Sequence, residues 1–325
     1  MKQVLMMKGA QKLVEVSADV RPGERLLVAT DYDRLEVAQA IATAAYARGA
    51  EVVTMILPPR ELDSEEPPAS AGAAFMEADV IFCPVSKSLS HSTALLKAVK
   101  GGARALALTQ FTEDSLIRGG IQADFRTQAP LCERVAGLFT RASVARMTSK
   151  AGTDITMSLA GRDGNAHCCI VGKGEFSGGI NIEANISPVE GTASGTIVAD
   201  GSLPNFGIGL LREPVVYTVE NGSITDIRGG EQAMLIRRIM AERNDPNVYN
   251  IAQLAMGLNP FCRISDNMQE SHGAWGSCHF GIGTSASLGG HIKAAMHYDV
   301  ILRSPTLELD GEAIIREGNV LVQVS

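Results

Sequence analysis

The residues best suited to chemistry crowd toward the C-terminus, where four of the six histidines fall between positions 272 and 297. The run His297-Tyr298-Asp299-Val300-Ile301-Leu302 has the composition of a strand. Residues i and i+2 of a strand share a face, so His297 and Asp299 can approach one metal ion together. A second strand-like run, Ser277–Gly283 (SCHFGIG), delivers His279. Two imidazoles and one carboxylate make a ligand set for zinc, iron(II), manganese or cobalt. A strand-borne His-x-Asp pair also arises as a plain hydrogen bond, so spacing leaves both readings open. Glu270 and His272 shortly precede His279, where either can act as general base on a metal-bound water. Trp275, beside the same strand, can line a pocket. Arg303, just beyond the His-x-Asp run, can pair with an anionic substrate.

These residues need a frame, and the chain changes texture near Arg141. Before it, Leu26–Thr30, Glu51–Leu57, Asp79–Val85 and Ala103–Thr109 read as strands separated by amphipathic stretches. The first such stretch places Leu35, Ala38, Ile41, Ala42 and Ala45 on one helical face and stops at Gly49. The pattern predicts a doubly wound parallel sheet, an α/β Rossmann-like domain over 1–142. Its Lys100-Gly101-Gly102 turn falls at a helix C-terminus rather than before a helix N-terminus, so no nucleotide cofactor is expected.

After Arg141 short alternating runs dominate: Thr153–Leu159, Ala166–Val171, Gly195–Asp200, Val215–Glu220 and Ser223–Ile227. Asn221-Gly222 joins the last two, as a type I′ hairpin turn requires. Helical stretches are expected over Gln232–Glu242 and from Asp245-Pro246, a carboxylate cap followed by proline. The reading is a mixed, largely antiparallel β-rich α+β domain over 143–325 that carries the metal.

Composition narrows the function classes. The 325 residues are 45% apolar and 20% charged, with a net charge of −7. That is an ordinary globular chain without the positive field of a nucleic-acid surface, so neither nucleic acid nor a membrane is an expected partner. Lys2, Lys8, Lys12 and Glu15 interrupt the start of the chain, and no run of about 18 apolar residues follows. A cytoplasmic protein is expected, with its six scattered cysteines reduced and mostly buried.

Several segments resemble the thermophilic metallo-aminopeptidase family of the aminopeptidase T and S type: EGTASGTIVADGS (190–202), IAQLAMGLNP (251–260), GSCHFGIG (276–283), MHYDVILRSP (296–305) and LELDG (307–311). The resemblance falls in the shorter branch that includes 2,5-dihydroxypyridine 5,6-dioxygenase. The aminopeptidases hold metal with two glutamates, two histidines and an aspartate, and the resemblance assigns ligand roles to Glu183, His279, His297 and Asp299. Gln253 stands where those enzymes have glutamate and where the dioxygenase has an iron-binding histidine. A neutral amide is a poor ligand, which implies one divalent ion (Zn, Mn, Co or Fe(II)) per chain and leaves Gln253 to the substrate. Thr284-Ser285-Ala286-Ser287 occupies the place of the aminopeptidase tyrosine. His91 matches the dioxygenase residue that handles protons.

The leading expectation is therefore a metal-dependent hydrolase. It would cleave an amide or related C–N bond of a small, cyclic or aromatic substrate through a metal-activated water, with His91, Glu270 or His272 taking the proton. The alternative is a non-haem Fe(II) ring-cleaving dioxygenase acting on a hydroxylated N-heterocycle. The resemblance also implies a homo-oligomer.

Overall fold

Strand Arg25–Thr30, entered through the Pro22-Gly23 turn, is the centre from which the first sheet grows in a computed structural model describing residues 2–63 and 65–323. It pairs in parallel with Glu51–Ile56 on one side and Val80–Cys83 on the other. Arg104–Ala107 and Phe176–Gly178 extend the sheet, also in parallel. Winding from a middle strand first to one edge and then to the other is the doubly wound pattern.

Helix Leu35–Ala47 connects the first two strands and stops at Gly49, whose φ is +93°. Its buried face is Val37, Ala38, Ile41, Ala44 and Ala45, rotated from the expected stripe so that Leu35 lies exposed at the helix start. Helices Ala69–Glu77 and Thr93–Lys100 pack Phe75, Leu95 and Val99 against Leu27, Ala29, Ile81 and Cys83. Gly101 caps the second of these, which places the glycine pair after a helix.

The second unit is built from antiparallel strands. Eight form one sheet, in the order Ser223–Arg228, Val215–Glu220, Ser194–Ala199, Asp154–Ser158, Val144–Thr148, Thr306–Leu309, Glu312–Arg316 and Asn319–Val320. Asn221 and Gly222 both take positive φ in the hairpin turn, as a type I′ turn demands. A five-stranded sheet runs His297–Leu302, Cys278–Gly283, Ile251–Gly257, Glu183–Ile186 and Asn165–His167. Asp245 caps only a short 3₁₀ helix, Pro246–Tyr249, before the chain enters the fully buried strand Ile251–Gly257.

The chain up to Thr127 joins with His167–Asn181 as one compact unit, and Gln128–Ala166 joins with the chain from Ile182 onward as the other. A single cut after residue 142 therefore does not describe the chain. The strand expected over Ala166–Val171 is limited to Asn165–His167. Cys169 takes a φ of +58°, which breaks the extended run, and Val171 N–H then donates to the Ser17 carbonyl of the first unit. Among the described residues no helix is long and apolar enough to cross a membrane, and all six cysteines are buried free thiols.

Candidate metal centre

Sheet register decides which side chains meet. Asp299 lies opposite Gly281, which lies opposite Gln253. His279 lies opposite Ala255, and Ala255 opposite Asn185. Directly paired residues share a face, as do residues two apart on one strand. One face therefore presents His297, Asp299, His279, Gln253, Asn185 and Glu183 together, floored by Gly281, Gly283, Ala255 and Gly257. The small residues make the room. A Cβ at Gly281 would stand 2.7 Å from His297 Cε1 and 2.8 Å from Gln253 Cβ.

Helix Met268–Gly273, capped by the Asn267 side chain on the Glu270 N–H, adds one more group. It lies so close to strand Ile251–Gly257 that a Cβ at Gly257 would meet the His272 carbonyl oxygen at 2.8 Å. Asn259 N–H donates to the Gly273 carbonyl (2.8 Å) and fixes the seat. The His272 ring thereby stacks on His279, with centroids 4.5 Å apart and planes 19° from parallel.

Distances among the polar atoms are short. His272 Nε2 is 3.3 Å from Asp299 Oδ2, and His297 Nε2 is 3.4 Å from Asp299 Oδ1. On the other side His272 Nδ1 is 3.8 Å and His279 Nε2 is 4.0 Å from Glu183 Oε2. The remaining carboxylate oxygen, Glu183 Oε1, accepts from Asn185 Nδ2 (3.1 Å) and Gln253 Nε2 (3.5 Å). His297 Nδ1 lies 2.9 Å from the Thr284 carbonyl, an acceptor only, so Nδ1 carries a proton and Nε2 faces the cluster. Asn205 Oδ1 accepts from the Asp299 N–H (3.1 Å) and steadies that strand.

The electrostatics follow from burial and neighbours. Burial, reinforced by the charge of His272, pushes His279 down to about 4, so its ring is neutral at neutral pH. For Asp299 burial would raise the carboxyl, but the His272 and His297 charges and hydrogen bonds outweigh it and hold the group well below the usual carboxylate range. His297 shows the reciprocal balance: burial lowers it, Asp299 and the Thr284 carbonyl raise it, and the net direction is up.

This donor set fits a divalent cation. His279 is 0% exposed, and neither of its ring nitrogens has a hydrogen-bond partner among the described residues. A buried polar atom without a partner is costly, and an ion bound by that nitrogen would relieve it. Glu183, His272 and His279 each offer a ligand atom, all within 4.8 Å of one another, and His297 and Asp299 adjoin them.

Of the residues singled out from the sequence, Glu183, Gln253, His272, His279, His297 and Asp299 come together. His91 sits in the first unit, half-buried, just before Ser92. That serine caps helix Thr93–Lys100 by accepting from Leu95 N–H. Glu270 is turned toward the Arg263 N–H (3.3 Å). Trp275 is 41% exposed after the short helix. The Arg303 guanidinium donates to the Asp200 and Gly201 carbonyls rather than to the cluster. Sequence reasoning missed Asn185, although its place two residues after Glu183 put it on the same strand face.

Comparison with known proteins follows the geometry. Residues 8–322 match the NicX family, described as 2,5-dihydroxypyridine 5,6-dioxygenase. A 2,5-dihydroxypyridine 5,6-dioxygenase of Pseudomonas putida KT2440 is 32% identical over 144 residues. That alignment covers 41% of this chain and 41% of that protein, well short of its whole length. The solved structure of 2,5-dihydroxypyridine dioxygenase from Pseudomonas putida KT2440 superposes with a TM-score of 0.83 at 24% identity, over 99% of this chain and 97% of that one. Wild-type AmpT from Thermus thermophilus superposes at 0.71 and 16% identity, over 99% and 100% of the two chains. The likeness to AmpT is one of fold, and the aminopeptidase-like hydrolase expected from the tail motifs is overturned by the family match. The absent tyrosine already set this chain apart from the peptidases, and a match over residues 8–322 means that it belongs to the 2,5-dihydroxypyridine 5,6-dioxygenase family.

Proposed function

We propose that the protein is an iron(II)-dependent, ring-cleaving dioxygenase acting on a small hydroxylated N-heterocycle of the 2,5-dihydroxypyridine type. The family match over residues 8–322 carries this reading. The buried cluster supports it with the donors such chemistry needs. His279, His297 and Asp299 would hold one ion per chain, with Glu183 as an additional oxygen donor. When bound, iron(II) would supply adjacent open positions for substrate and O2 and the redox chemistry that joins them.

The chain's own residues supply the rest. His279, kept neutral by burial, offers a lone pair without first losing a proton. Asp299 stays anionic because two imidazoles flank it, and so offsets part of the cation's charge. Asn185 and Gln253 hold one oxygen of Glu183 and leave the other aimed at the histidines. In this reading Gln253 serves a carboxylate rather than the substrate. We assign His91 the acid–base step that a phenolic hydroxyl of the substrate requires. His91→Ala should then lower kcat by about a hundredfold, in the range of a lost acid–base group, and flatten the pH profile while leaving metal content intact.

The test is oxygen uptake by protein purified anaerobically and loaded with Fe(II). Substrate-dependent uptake with 2,5-dihydroxypyridine, absent with Zn(II), supports the reading. Ring opening without oxygen uptake contradicts it.

A further inference from the structure

The chain lacks a ligating side chain at position 253, yet the cluster is not short of nitrogen donors. We propose, building on the metal-dependent reading above, that His272 is itself a ligand of the ion, supplied by helix Met268–Gly273 in place of the group missing from strand Ile251–Gly257.

The observations converge on this ring. Ligand atoms about 2.0–2.2 Å from one ion lie no more than about 4.4 Å from each other. Either nitrogen of His272 meets that limit, Nδ1 at 3.8 Å from Glu183 Oε2 or Nε2 at 3.3 Å from Asp299 Oδ2, and one of the two would bind the ion. The ring therefore spans the two halves of the cluster, Glu183 with His279 and Asp299 with His297. Three features hold the ring in that position. Gly257 is free of a Cβ where the His272 carbonyl approaches, Asn267 caps the helix, and the His279 ring stacks against it. The side chain of Gln253, meanwhile, is committed to Glu183 Oε1. In this arrangement the helix supplies the nitrogen donor, and the strand position supports the carboxylate.

The experiment uses the full-length protein, stripped of metal and titrated anaerobically with Co(II). Binding is followed by the visible d–d spectrum and by quenching of Trp275, the only tryptophan and three residues from His272. Wild type, His272→Ala, His272→Gln and the double variant His272→Ala with Gln253→His are compared, with near-UV circular dichroism as the check on folding. Both single variants should bind Co(II) at least about a hundredfold more weakly, beyond the 10–100-fold typical of losing an outer partner, and with an altered spectrum. Gln253→His should recover much of the loss, because it returns a nitrogen donor to the strand. Folded single variants that match wild type in affinity and spectrum would overturn the assignment and leave the metal-dependent reading standing. A wild-type protein that binds neither Co(II) nor Fe(II) would overturn both.

Discussion

At the scale of single residues, the cluster is shaped as much by what is small or neutral as by its donors. Gln253 places an amide where a carboxylate would face Glu183 across the site. Gln253→Glu should therefore destabilise the metal-free protein, since two buried carboxylates at that distance cannot both ionise freely. Metal should stabilise this variant more than wild type, a difference that thermal melts with and without Fe(II) or Co(II) would measure. Gly281→Ala drives a methyl into the His297 ring. Overpacking of that kind costs about 1–3 kcal/mol, and the variant should lose metal as well as melting temperature. His297 and Asp299 were legible in the sequence because a strand's two-residue period is local information. The position of His272 was not, because its closeness to Asp299 comes from tertiary docking of a six-residue helix.

Among elements, strand Ile251–Gly257 is one of several that pattern reading passed over, along with Val144–Thr148, Glu183–Ile186 and Thr306–Leu309. Buried on both faces, it shows no polar alternation, and its Ala, Gln, Leu and Met are good helix formers. Its place is set by neighbours: Cys278–Gly283 on one side and Glu183–Ile186 on the other. The hairpin at Asn221-Gly222 and the helix stop at Gly49 were readable because they depend on positive φ at residues that tolerate it. Gly257 carries the contact between strand and helix. Gly257→Ala should push Met268–Gly273 away, since the new Cβ would meet the His272 carbonyl. The expected signature is faster amide exchange across 268–276 and weaker metal binding, while Glu51–Ile56 and its parallel neighbours keep their protection. Unchanged exchange in the short helix would show that the close approach is not what seats it.

Over the whole molecule, the two compact units draw on different sources of stability. The parallel-sheet unit rests on an apolar core that includes Leu27, Phe75 and Ile81. The other unit buries two histidines and two carboxylates around one face of a sheet, with His272 half-buried beside them. An ion at a hundred times its dissociation constant adds about 2.7 kcal/mol to whatever binds it. Chelation should accordingly lower exchange protection in Ile251–Gly257, Cys278–Gly283 and His297–Leu302 far more than in Arg25–Thr30. The doubly wound half was readable from its alternation of strands and helices, whereas the return of 167–181 to it was hidden by a short, glycine-rich run. The central claim, oxygenation rather than hydrolysis on this scaffold, is tested most directly by one turnover of the Fe(II)-loaded protein with 2,5-dihydroxypyridine under ¹⁸O2, followed by mass spectrometry of the product. Two heavy oxygen atoms in a ring-opened product are expected; a product that takes its oxygen from water instead would contradict the account.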